Sequence, residues 1–371
     1  MKSHYKTFTI SVLIMAISGL SLQGAHHLRN SLNEGTPDIQ STGPIAFGPE
    51  GILFIADPKG ATIFAVDTKD QTASSGNQSP INIENIGMKT AAVLGTSKDR
   101  ILIQDLAVNP ISGNAYLSVS RGRGPEGKAV ILKVGPKGKL SIMDTKSINF
   151  SKISLPNAPD PNAKGRRGRS PRQQSITDMA YLDGNLIVAG LSNEEFASTL
   201  RSIPFPFKTA DKGSSIEIYH GAHGNFETRS PVRTFVPFDI KGKSHIMAAY
   251  TCTPLVKIPV EQLKPGKHVK GITVAELGNR NNPLDMIAYK KSDRNWLLMA
   301  NTARGIMKIT TDELSSAPGI TDRVSGKKGV SYETIEDWKG IKQLDALGSS
   351  LALVLQETDS GSQHLVSLPL P

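Results

Sequence analysis

The feature that most narrows the possible folds of this chain is an internal repeat of about sixty residues. Residues 246–263 (IMAAYTCTPLVKIPVEQL) lie over residues 297–314 (LLMANTARGIMKITTDEL) without a gap, and Ala, Thr, Lys, Ile and Leu recur at matched positions. Residues 53–66 (LFIADPKGATIFAV) follow the same pattern with one inserted residue, while 115–120, 186–190 and 351–355 carry its first half. Each copy joins a short apolar run, a polar turn rich in Gly, Pro, Asp and Asn, and a second alternating run, which is the sequence form of a β-hairpin. An apolar run with a carboxylate near its start (Asp105, Asp178, Asp285, Asp345) precedes most copies. That supplies a third strand, and the remaining residues leave room for a fourth. With Ala56, Val119, Ala189, Ala249, Ala300 and Val354 taken as equivalent, the spacings are 63, 70, 60, 51 and 54 residues. Long capped amphipathic helical patterns are absent, which disfavours a βα architecture, and β-solenoid repeats are usually much shorter. The expected fold is all-β, a six-bladed β-propeller of four-stranded antiparallel sheets.

Residues 43–57 (GPIAFGPEGILFIAD) resemble one NHL repeat, in which a Gly-containing turn joins two strands and the second ends in Ala-Asp. The later copies keep the hydrophobic spacing but not that ending. More broadly, the chain resembles the NHL-type, gluconolactonase-like and strictosidine-synthase-like six-bladed propellers. This resemblance is one of architecture, and architecture alone does not fix chemistry. For the gluconolactonase-like members it implies a divalent metal that polarises a lactone carbonyl while a carboxylate activates water.

The chain opens with Lys2 and Lys6, a mostly apolar stretch over 8–22, and then Gly24 and Ala25, the pattern of a secretory signal peptide. We expect a signal over 1–25, a single propeller domain over 26–371 and a periplasmic or secreted location; an uncleaved N-terminal anchor is the alternative. No later segment approaches the roughly 20 apolar residues that span a bilayer. With Cys252 as the only cysteine, no internal disulfide can form. The net charge of +10 is concentrated: Lys164, Arg166, Arg167, Arg169 and Arg172 form one run, and setting these aside with Lys2 and Lys6 leaves +3. Residues 155–172 read as a solvated basic loop between the second and third blades. It lacks the interleaved aromatics of a single-strand binding platform, so no nucleic-acid partner is expected, and the protein is expected to be a monomer. Residues 70–80 read as a polar surface loop. Residues 191–214 read as an insertion in the third hairpin, whose 203–207 (IPFPF) segment serves either as a lid over the mouth or as packing on the outside of the blade through Phe205 and Phe207.

Propellers gather ligand sites at one mouth of the central channel. The repeat alignment places Asp105, Asp178 and Asp285, with Asp345 as a further candidate, at inner-strand starts. It places Asp57, Asn193, Glu194, Tyr250, Cys252, Asn301 and Arg304 in the turns at the same mouth. Asp105, Asp178, Asp285 and Asn301 could hold Ca2+ or another divalent cation, because hard ions take carboxylate and carbonyl oxygens. An Asp recurring at one place in each blade is more often a turn or strand-end hydrogen-bonding residue, and a ring that is merely structural implies no enzyme. His220 and His223, with Glu227 following, form a His-x-x-His-x3-Glu cluster of donors suited to zinc or copper. That spacing in a hairpin turn does not force the two rings together, and the turn is expected on the face opposite the acids. His245 and Cys252 are expected at opposite ends of one strand, too far apart for a nucleophilic pair. Three functions follow. The first is an exported propeller that binds a small molecule, a cation or a protein segment at its acidic mouth. The second is a divalent-metal-dependent hydrolase or lactonase, and the third a redox accessory with copper at His220 and His223. No Cys-x-x-Cys-His haem motif is present.

Overall fold

The computed structural model describes residues 27–371 except 74–77, 125–126, 166–169 and 253. The expected signal peptide and the centre of the Arg run (Arg166, Arg167, Arg169) therefore lie outside the described residues. Six inner strands lead the six blades in chain order: Ile45–Phe47, Ile101–Val108, Asp178–Leu182, Thr234–Ile240, Pro283–Lys291 and Ile341–Leu347. Each pairs antiparallel with a second strand, the second with a third and the third with a fourth, so the six-bladed propeller read from the repeats is the fold found.

Side-chain alternation explains why the second strands are almost wholly apolar. In blade 1, Ile52, Phe54 and Ala56 pack against Met179, Leu186 and Val188 of blade 3, while Leu53 and Ile55 pack against Ala107 and Tyr116 of blade 2. Successive residues on a strand point to opposite faces, and here both faces are buried against a neighbouring blade. Six such cores hold the ring together. They join blades 1 and 3, 3 and 4, 4 and 5, 5 and 6, 6 and 2, and 2 and 1.

That order differs from chain order: blade 1 stands between blades 2 and 3. Two outer strands are supplied out of turn to make this possible. Blade 1 is completed by Ile148–Ser154, which follows blade 2 and pairs with Thr62–Asp67. Blade 6 is completed by Asn82–Ile83, which follows blade 1 and pairs Ile83 with Leu365. An α-helix, Ile86–Val93, then leads into blade 2.

Three expectations about loops change. Asp70, read as part of a surface loop, is 6% exposed. Its carboxylate accepts from Ser112 Oγ at 2.8 Å, Asn114 Nδ2 and Tyr116 Oη at 3.0 Å, and pairs with Lys133 Nζ at 3.0 Å. Within 191–214, Ser198–Pro204 is the third strand of blade 3 rather than insertion, and Ser214–His220 is the fourth. Phe205 and Phe207 lie 5.0 and 6.0 Å from Phe54, ring centre to ring centre, so the aromatic segment packs between blades 1 and 3 and is no lid. The basic loop joins the outer strand of blade 1 to blade 3. Its described part is anchored at Leu155, which is buried, and at Arg172, which donates to the Lys59 and Pro159 carbonyls at 2.9 Å.

Candidate functional site

Asp178 lies opposite Ala189 and Asp285 opposite Ala300, each at the head of an inner strand. Asp105 and Asp345 sit a step further along their strands, opposite Ser118 and Leu353, after register shifts. All four use their carboxylates in the same way. One oxygen of Asp178, Asp285 and Asp345 accepts the amide of the next residue, Met179, Met286 or Ala346, at 2.7–2.8 Å. The other reaches the adjoining blade: Asp178 to the Phe235 amide, Asp285 to Leu344 and Asp345 to Val108, at 2.7–2.8 Å. Asp105 likewise takes the Ile45 amide of blade 1 at 2.7 Å. The strand-end role is therefore real, and it runs between blades, stapling inner strands that share no sheet. Blades 1 and 4, which have Pro44 and Thr234 at the corresponding place, receive a staple but supply none from that position.

These staples also line a channel. Asp105, Asp178 and Asp285 border a cavity of about 330 Å³ whose other walls include Gln104, Gln174, Thr177, Arg233 and Gln343. The same three aspartates, with Asp345, border a second cavity of about 480 Å³ on the far side. Burial disfavours the ionised form of each carboxyl. It pushes Asp178 to about 7 and Asp345 to about 6. Asp105 and Asp285 are driven well above the ordinary 3.8, first by burial and then by the charges of their neighbours, Asp178 and Asp345 on Asp105, and Asp105 foremost on Asp285. Among the described residues, Arg233 is the one cationic side chain lining the first cavity.

A pH dependence follows. The folded carboxyls keep protons that the unfolded chain, titrating near 3.8, has released, so their contribution to stability falls as pH rises from about 4 to about 7. Asp178→Asn cannot ionise. It is expected to gain stability relative to wild type between pH 5 and pH 8, measured as the difference in Tm by calorimetry. A difference that stays constant with pH would show Asp178 already ionised throughout.

The turn residues aligned with this mouth do not join the ring. Asp57 is 1% exposed and secures its own corner, accepting from the Gln40 amide, Ser41 Oγ and the Gly60 amide. Asn301 closes its own turn, with Nδ2 donating to Gly305 O at 2.7 Å and Oδ1 accepting the Arg304 amide at 2.8 Å. Asn301 and Arg304 line a separate groove with Trp338, so Asn301 does not complete a ligand set with the aspartates. Asn193 and Glu194 bind Asn157 across the gap to the basic loop, and Tyr250 is buried in the core between blades 3 and 4. His245 is on the second strand of blade 4 and Cys252 in the turn beyond its other end, as expected.

Cys252 instead meets the histidines. Among the described residues, His220, His223 and Cys252 are the one group of three His, Cys, Asp or Glu residues placed to hold a metal ion, with one donor atom of each within 4.8 Å of the other two; the ring carboxylates form no such group. The histidine turn therefore lies at the same end of the propeller as the acids, not on the opposite face. The outer strand of blade 3 runs toward the mouth, and its partner in the third strand is the mouth-proximal Thr199. The two rings also converge, because His223 N donates to His220 O at 3.1 Å and the turn winds like one turn of helix.

No family model matches the chain, and no curated relative matches its sequence. Solved structures similar to it include an oxidoreductase of Thermus thermophilus described as a glucose dehydrogenase (12% identity, TM-score 0.38, 91% of this chain and 99% of that one). Another is the PQQ-bound aldose sugar dehydrogenase of Streptomyces coelicolor (12%, 0.34, 91% and 98%). Drosophila Plexin A, in complex with Semaphorin 1b, is a third (10%, 0.41, 92% and 87%). Likeness at this level carries nothing about chemistry.

Proposed function

We propose that this chain is an exported ligand-binding propeller that takes a small hydrophilic cation into its acidic channel. The reading rests on one observation: Asp105, Asp178 and Asp285 border both cavities of the channel, and Asp345 joins them at the second. Four carboxyls held this close resist ionising together, and a cation among them relieves both burial and mutual repulsion. Asp178, Asp285 and Asp345 each already accept two backbone amides, so their oxygens are partly engaged. A hydrated divalent ion or an alkylammonium group, which brings its own donors, suits the gap and the glutamine amides around it. Export is supported by the pattern of the first 25 residues.

Isothermal titration with calcium chloride and with putrescine tests the reading. At least one probe is expected to bind with one-to-one stoichiometry, with proton release at pH 6, and Asp105→Asn should weaken it by about tenfold or more, a loss of roughly 1.4 kcal/mol. Absence of binding by both probes, or binding indifferent to Asp105→Asn and Asp178→Asn, overturns the proposal.

A further inference from the structure

The densest group of metal-ligating side chains lies away from the channel, where blades 3 and 4 meet. His220 ends the outer strand of blade 3 and is 2% exposed. His223 follows one turn later with its side chain 51% exposed, and the two ring centres are 3.9 Å apart. Cys252 enters from the turn between the second and third strands of blade 4. Its backbone is held at φ 65° while its amide donates to Asn281 O at 2.7 Å. One donor atom of each residue lies within 4.8 Å of the other two.

Glu227 orients both imidazoles. Its Oε2 is 3.0 Å from His220 Nδ1 and its Oε1 2.5 Å from His223 Nδ1. An ionised carboxylate only accepts, so each neutral ring carries its proton on Nδ1 and presents an Nε2 lone pair. This is the carboxylate–histidine arrangement that fixes tautomer and direction in metal sites. One buried atom points to something bound: His220 Nε2, in a residue 2% exposed, has no hydrogen-bond partner. Leaving such an atom buried and unpaired is unfavourable.

We propose that His220, His223 and Cys252 form a mononuclear transition-metal site, two imidazole nitrogens and a thiolate, with Glu227 as the positioning residue and zinc(II) as the ion. Thiolate and imidazole together select zinc or copper over calcium or magnesium. With Zn–N near 2.1 Å and Zn–S near 2.3 Å, tetrahedral donors stand roughly 3.4–3.6 Å apart, so the three donors, all within 4.8 Å of one another, need to close by at most about 1.4 Å. Binding exchanges the thiol proton for the metal–sulfur bond, and the proton leaves to solvent. Three protein donors leave the fourth position to water or an incoming ligand, the open form of a zinc site.

The test is a titration of metal-stripped protein with cobalt(II) as a spectroscopic probe, followed by zinc against a chromophoric chelator. One equivalent of cobalt is expected to produce a sulfur-to-cobalt charge-transfer band, and one equivalent of zinc to abolish it. Cys252→Ser should remove the band and weaken zinc more than about 100-fold, and His223→Ala should weaken it as much. Glu227→Gln should keep the band and weaken zinc by roughly 10–100-fold, the usual effect of an outer-shell partner. Cys252 and His223 both reach solvent, so their variants are expected to fold, which circular dichroism checks. The wild-type band tests thiolate ligation without any variant. A folded wild-type protein that takes up no cobalt, or a Cys252→Ser protein with unchanged spectrum and affinity, overturns the proposal. Tighter binding of copper than of zinc, with the same variants impaired, supports the site and replaces the ion.

Discussion

Phe54→Ala is expected to destabilise the protein by about 3–5 kcal/mol, with a matching fall in the denaturant midpoint and little change in slope. Phe54 is fully buried in the second strand of blade 1 and points at blade 3. It is the hub of an aromatic group: Phe205 meets it edge-on at 5.0 Å, Tyr181 stacks at 5.9 Å and Phe207 leans in at 6.0 Å. Truncation removes the burial of one large side chain and leaves a void that its partners cannot fill, because Phe205 and Phe207 are already packed on each other. The consequence extends beyond blade 1, since this core is the one that joins it to blade 3. Met88→Ala, at a side chain 60% exposed, serves as the control and should stay within about 0.5 kcal/mol. A loss below about 1.5 kcal/mol for Phe54→Ala would mean that the interface between blades 1 and 3 is looser than the packing described.

A second large effect is expected at Asp70. Asp70→Ala should cost about 3–5 kcal/mol, because it removes the acceptor for Ser112, Asn114 and Tyr116 and leaves the Lys133 ammonium without its partner. Burial opposes ionisation of this carboxyl, but hydrogen bonds from Asn114, Ser112 and Lys133 outweigh it and hold its pKa below the ordinary value. Stability from Asp70 is therefore present above pH 3.8 and lost as pH falls further, the opposite sense to the channel aspartates. Asp70 pins the segment that leaves blade 1 for blade 6, so hydrogen exchange at Ile83 and Leu365 should quicken in the variant more than at Leu298 in blade 5. Equal exchange at all three would show that Asp70 acts only locally.

Much of this architecture was legible in the residues, and what was not has physical causes. Hydrophobic alternation and turn chemistry act locally, so the six hairpins and the aspartates heading four inner strands could be read directly. Which blade a strand completes is decided at long range, and Asn82–Ile83 is too short to carry a signal. The aspartates were readable as a ring. Their reach to the next blade's amides was not, because it depends on the rotation between sheets. Asn301 and Arg304 align with the mouth, yet the Asn301 side chain is consumed by its own turn. The His220 and His223 cluster stood out as a spacing. Its convergence depends on the turn winding helically up to Gly224 at φ 72°, and its meeting with Cys252 on the packing of two blades.

The displaced position of blade 1 has a further consequence. Blades 1 and 2 adjoin and are built from residues before the basic loop, and blades 3 to 6 follow one another after it, Asn82–Ile83 being the only strand among the described residues that crosses. The linker over 155–172 is thus the seam between a two-sheet and a four-sheet piece, which meet along two apolar walls and one borrowed strand. Scission of the backbone at that seam interrupts no strand and leaves only blade 6 dependent on the other piece for a strand, so the two pieces have the surfaces to rejoin as a non-covalent pair.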